Sequence, residues 1–113
     1  MTTAALIQIA YSGFNDRDID AVFTVMAPDV NWPKAFEGGY VTGHDAVRDY
    51  WTRQWGEINP VVQPIKITEH ADGKVEVEVH QLVKDLEGTV LFDGMVRHAY
   101  TIKDGLLQQM DIE

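Results

Sequence analysis

Residues 90–112 read VLFDGMVRHAYTIKDGLLQQMDI, and this stretch decides the fold. Two apolar-rich runs flank Lys103-Asp104-Gly105. A glycine after a polar residue supplies the positive φ that a tight hairpin needs. Along the first run, Phe92, Gly94, Val96, His98, Tyr100 and Ile102 share one face. Leu91, Asp93, Met95, Arg97, Ala99 and Thr101 share the other. The first set is the more apolar and is expected to face the core. It carries one titratable group near neutrality, His98, beside Tyr100.

The register of this hairpin bears on chemistry. A two-residue turn at Asp104-Gly105 brings Asp111 inward opposite the His98 region, where a carboxylate would fix the imidazole tautomer. A three-residue turn with a bulge points Leu106, Gln108, Met110 and Ile112 inward and Asp111 outward. Burying Met110 and Ile112 gains about 1.5–3 kcal/mol each, whereas burying a carboxylate costs several kcal/mol. The energetics favour the bulged turn, without the dyad.

Upstream, residues 74–84 alternate Val75, Val77, Val79, Gln81 and Val83 against Glu76, Glu78, His80 and Leu82. This is the pattern of a strand with one buried face. Residues 65–68 belong to a strand before it, ending at Asp72-Gly73, and residues 85–88 turn into the next. The N-terminal half reads as helices. Thr2 or Thr3 caps a first helix to about Asn15, with Leu6, Ala10, Gly13 and Phe14 on one face. Asp18 caps a second, in which Ile19, Val22, Phe23 and Met26 keep helical spacing until Pro28. Residues 30–32 are extended, and Gly38-Gly39 turns the chain back through Tyr40-Val41. Thr42 and Asp45 have capping-box form before a third helix carrying Val47, Tyr50, Trp51 and Trp55 on one face. Gly56 and Pro60 end that helix. Helices followed by an antiparallel meander read as α+β, and a curved sheet over three helices encloses a conical space.

The 113 residues suit one domain spanning 1–113. With 9 Lys+Arg against 18 Asp+Glu, the formal net charge is −9. Such a surface repels phosphate backbones and anionic lipid, so neither nucleic acid nor membrane is an expected partner. There is no cysteine, which excludes disulfides and thiolate chemistry and fits a cytoplasmic location. No apolar run of about 20 residues marks a membrane span, and the N-terminus lacks the flank and cleavage site of a signal peptide. His44, His70, His80 and His98 have no paired ligand spacing, and no Gly-rich phosphate loop is present, so no metal and no cofactor are expected.

Four further segments carry a resemblance. They are FNDRDID at 14–20, APDVNW at 27–32, GHDAVRDYW at 43–51 and AYTIKDGL at 99–106. In this order they resemble the nuclear transport factor 2-like superfamily, in its SnoaL-like and ketosteroid-isomerase-like branch. The resemblance implies a cone-shaped curved antiparallel sheet wrapped over three N-terminal helices, the cystatin-like or NTF2-like α+β barrel. It also implies a pocket in the cone and a homodimer through the outer sheet face. It does not fix function, because members include isomerases, cyclases, dehydratases, epoxide hydrolases and non-catalytic binding modules. Ketosteroid isomerases use an Asp base with a Tyr and a protonated Asp as oxyanion donors. Those three positions fall at about Trp32, at Ala10 (with Tyr11 one place away) and at His98, and none matches. The Arg and two Asp of limonene-epoxide-hydrolase-like members are not evident either, since Arg97 alternates away from the inner face.

His98 is the leading candidate for proton transfer, with Tyr100 as its partner. The same imidazole also suits a core histidine satisfied by hydrogen bonds. Trp32, Phe36, Tyr40, Trp51 and Trp55 offer apolar area for a flat organic ligand, Trp32 and Tyr40 being placed at a pocket mouth. Gln81 and Met110 add inward positions to the same set. Ordinary core packing explains Trp51 and Trp55 equally well. The expected function is a pocket for a small hydrophobic ligand. It acts as an isomerase, cyclase or dehydratase on a hydrophobic carbonyl compound, or serves as a non-catalytic ligand-binding or dimerisation module.

Overall fold

The alternating valines build the middle of the sheet. In the computed structural model, which describes residues 1–34 and 37–113, β4 (Lys74–Asp85) buries Val75, Val77, Val79 and Val83. It pairs antiparallel with β3 (Ile58–Glu69) on one side and β5 (Val90–Lys103) on the other. Beyond β5 lie β6 (Leu106–Ile112), β1 (Met26–Pro33) and β2 (Tyr40–Thr42), giving the order β2-β1-β6-β5-β4-β3. The sheet is curved and unclosed, with β2 and β3 as its edges. One pair departs from the expected antiparallel arrangement: β1 runs parallel to β6.

The helices α1 (Thr3–Asn15), α2 (Ile19–Phe23) and α3 (His44–Trp55) cover the concave face. Thr2 caps α1 by accepting from the Ala5 amide at 3.1 Å. Gly13 lets α2 approach, for a Cβ there would meet Val22 Cγ2 at 2.6 Å. The core gathers Ile7 from α1, Val22 from α2, Val47 and Trp51 from α3 and Leu107 from β6, all nearly inaccessible to solvent.

Four local expectations are corrected. The second helix does not run to Met26. It ends at Phe23, where the Thr24 hydroxyl donates to the Ala21 carbonyl at 2.6 Å. Met26 is buried and pairs with Leu107, so it begins β1 despite its helical spacing from Ile19. Pro28 sits inside β1, where the pairing with β6 shifts between Met26 and Asn31, so its missing N–H costs the ladder nothing. Pro60 likewise lies inside β3, which begins at Ile58 and tolerates proline as an edge strand. The third helix has no capping box. Gly43, at φ 89°, holds the cap position, and the Thr42 hydroxyl donates instead to Asn31 Oδ1 at 3.2 Å on the paired strand.

The last correction concerns the hairpin. Asp104 and Gly105, at φ 54° and 76°, form a two-residue turn closed by Lys103 and Leu106. The bulge lies further on: Ile102 faces Leu107 and Thr101 faces Gln109, leaving Gln108 as the extra residue. Leu107 takes the inward place expected of Leu106. After the bulge Met110 faces Tyr100, Ile112 faces His98, and Asp111 faces Ala99 on the outer side. The carboxylate is therefore outward, as the energetics require, but through a bulge in the strand rather than in the turn.

Candidate functional site

The concave face of β4, β5 and β6 meets α1 and α3 around a cavity of about 70 Å³. Its lining is apolar apart from a few groups. From β5, His98 and Tyr100 project into it, and from α1 Tyr11 reaches them across the interior. The Tyr100 hydroxyl donates to the Tyr11 hydroxyl at 2.9 Å. Tyr11 has then its own proton to give, and His98 Nδ1 lies 2.7 Å away to accept it. That leaves the ring proton on Nε2, which has no partner among the described residues. The Tyr11 and His98 rings lie nearly parallel, 11° apart, and Tyr100 stands edge-on to both.

Burial sets the electrostatics. His98 is 6% exposed, and desolvation pushes its pKa down to about 4. Burial raises the phenol of Tyr100, and it raises Tyr11 well above the usual value, with the neighbouring Tyr100 adding to the effect. At neutral pH all three groups are uncharged. Among the described residues none lining the cavity is a carboxylate. The site can donate a hydrogen bond to a ligand oxygen from Nε2, with its tautomer held by the two phenols. It offers no strong base.

The structure brings together Trp32, Trp51, Gln81, His98, Tyr100 and Met110, all of which line this cavity. Two expected residues do not. Trp55 packs against Phe14 and Trp51 beneath the Arg17 guanidinium, 4.9 Å from its ring, and its Nε1 is buried without a partner among the described residues. Tyr40 is half exposed and donates its hydroxyl to the outward Asp111. Phe36 lies outside the described residues. Tyr11 is the cavity-lining partner of His98 that sequence reasoning missed. Reading the first helix from Ile7 in steps of four and three puts Tyr11 and Phe14 inward, which is the signal that could have found it.

The convex face differs. There His80 meets Asp93 at 2.6 Å, His70 meets Glu76 at 3.0 Å, and Arg97 reaches Glu76 at 3.6 Å and Glu78 at 4.0 Å. No helix of the described residues is long and apolar enough to cross a membrane.

Comparisons with known proteins agree with this architecture. The structure of TerC co-crystallised with polyporic acid is 26% identical over 97% of this chain and 88% of that one, with a TM-score of 0.86. An NTF2-like protein of unknown function from Burkholderia pseudomallei is 21% identical over 100% of this chain and 91% of its own, also at 0.86. Rv0760c from Mycobacterium tuberculosis, in complex with estradiol-17beta-hemisuccinate, shares 14% identity over 96% and 90%, at 0.81. No curated protein matches the sequence. The family model for a SnoaL-like domain matches residues 7–110, so this chain belongs to the SnoaL-like family.

Proposed function

We propose that this domain holds a small hydrophobic organic molecule by an oxygen atom, with His98 Nε2 as the donor. The observation that carries this reading is the Tyr100–Tyr11–His98 chain ending in an N–H that has no partner among the described residues, at a mostly apolar cavity. A carbonyl so held is polarised and its α-protons become more acidic; in an enolisation leading to isomerisation, cyclisation or dehydration the α-proton would pass to water, since no lining residue among those described is a carboxylate. Tyr100 and Tyr11 position the imidazole, while Trp32, Trp51 and Met110 supply apolar wall. Two similar structures contain polyporic acid and estradiol-17beta-hemisuccinate, which supports an organic ligand of this kind. The reading includes a homodimer through the convex face, where Val61 and Met95 are exposed among the charged pairs.

Binding of 2-naphthol and of naphthalene, followed by the fluorescence of Trp32 and Trp51, tests the donor. The wild type is expected to prefer the naphthol about fivefold, in line with a net hydrogen bond of about 1 kcal/mol. His98→Phe should erase the preference, and an equal preference in that variant defeats the assignment. Solvent exchange of the α-protons of 1-tetralone, read by NMR, tests the chemistry: acceleration lost in His98→Phe supports catalysis. A second reading, a non-catalytic binding module, is favoured by the lack of a lining carboxylate among the described residues and by the depressed basicity of His98. It predicts binding with no acceleration.

A further inference from the structure

The inner cavity does not stand alone. A second hollow of about 320 Å³ lies beside it, between the C-terminal end of α3 and the far end of the β4–β5 hairpin. Tyr50 and Gln54 line both spaces, and Gln54 Nε2 donates to the Tyr50 hydroxyl at 3.2 Å, so one hydrogen-bonded pair forms the wall between them. The floor of the outer hollow is Ile58, Val83, Leu91 and Phe92. Phe92 and Leu91 are 42% and 57% exposed, unusual for large apolar side chains at the end of a sheet. Gly94 shapes this floor: the Phe92 ring lies over it, and a Cβ there would meet Phe92 Cζ at 3.2 Å. Gly94 in turn faces Gln81, which lines the inner cavity. The two hollows thus adjoin in a track from the imidazole to the hairpin end, interrupted by the Tyr50–Gln54 pair.

Size decides how such a track is used. A cavity of roughly 150 Å³ takes one benzene ring. The inner space of about 70 Å³ holds less than that, and the outer one of about 320 Å³ holds more. Charge narrows the choice further. At the outer rim Arg53 is already engaged by Glu37 at 2.9 Å, and Glu57 lines the same hollow, so two carboxylates stand against one guanidinium.

We infer that the ligand is elongated and uncharged at its far end: its oxygen enters the inner cavity and its apolar body lies in the outer groove on Val83, Leu91 and Phe92. This rests on the reading of His98 as the oxygen-holding group. The Tyr50–Gln54 pair is the threshold that the molecule crosses.

Three probes test it by titration calorimetry on the full chain: 2-naphthol, 6-phenyl-2-naphthol and 6-(4-carboxyphenyl)-2-naphthol. The phenyl extension is expected to tighten binding at least tenfold, and the carboxylate to cancel that gain. Phe92→Ala should weaken the phenyl probe about tenfold and the short one, which covers less of the groove, by a smaller factor; Leu91→Ala, also exposed, repeats the comparison in a second fold-neutral background. If 2-naphthol binds through His98 but the phenyl group adds nothing, the outer groove is not a ligand subsite and the inference falls alone. Should 2-naphthol itself fail to bind, or bind equally well to His98→Phe, both readings fall. If Phe92→Ala dissociates a dimer in sedimentation, the groove belongs to a second copy of the chain and the inference is overturned.

Discussion

The two faces of the β4–β5 ladder carry histidines only steps apart, and they obey different rules. On the convex side His80 sits with Asp93 among Glu76, Glu78 and Arg97, partly exposed, where water screens each pair. On the concave side Val77 and His98 face one another across the strands, and the imidazole is, among the described residues, the one buried polar side chain beside a wall of valines. A polar group on the first face is one of many and is replaceable. On the second it is costly to bury, so its hydrogen bonds and its protonation state are fixed by neighbours.

The comparison is broken most severely by putting a charge on the wrong face. Val77→Asp should abolish the cooperative fold seen by circular dichroism, because an unpaired buried carboxylate costs several kcal/mol; a variant that still unfolds cooperatively near the wild-type urea midpoint contradicts the burial described. Protonating His98 comes next. Its folded pKa of about 4 lies below the unfolded value near 6.5, so the unfolded chain binds the extra proton first. Stability conferred by the neutral ring is complete above pH 6.5 and is lost as pH falls toward 4, about 3 kcal/mol in all. Urea titrations between pH 7 and 4 should show that slope, and His98→Gln should flatten it.

Smaller effects sharpen the contrast. Tyr11→Phe removes the hydroxyl between Tyr100 and His98 and leaves two buried polar atoms unpaired, costing about 1–3 kcal/mol. It should also release the tautomer, visible as a changed His98 ring ¹⁵N pattern; an unchanged pattern means the phenol does not hold the ring. On the convex face Glu78→Ala should cost no more than about 0.5 kcal/mol and leave naphthol binding unaltered. A loss of several kcal/mol there would show that the convex pairs are structural.

The same contrast explains what could be read from the sequence. Alternation in residues 74–84 and along β5 was legible because one face is buried and the other wet, a difference that composition records directly. The face of α3 was legible for the same reason. Proline was misread, since Pro28 and Pro60 interrupt a pattern only where a ladder needs their N–H, and a bulge and a sheet edge do not. Thr42 was misread as a cap because its hydroxyl answers to a neighbouring strand, which no local pattern reports. Of the site, His98, Tyr100, Gln81, Trp32, Trp51 and Met110 were visible as inward positions. Tyr11 was not, because its role depends on a contact spanning 87 residues. Nor could the volume of the cavity be read, for it is set by how Trp32, Trp51 and Tyr100 turn against each other.

The extra residue at Gln108 has a consequence for the chemistry this scaffold can reach. With the same two-residue turn and an unbroken ladder, every partner after Leu107 would move by one rung, and Asp111 would stand opposite His98 in place of Ile112. A single irregularity in a seven-residue strand therefore separates a pocket that only donates from one holding an imidazole–carboxylate couple. Replacing that strand with one lacking the irregularity would convert the one into the other without altering a lining residue on any other element.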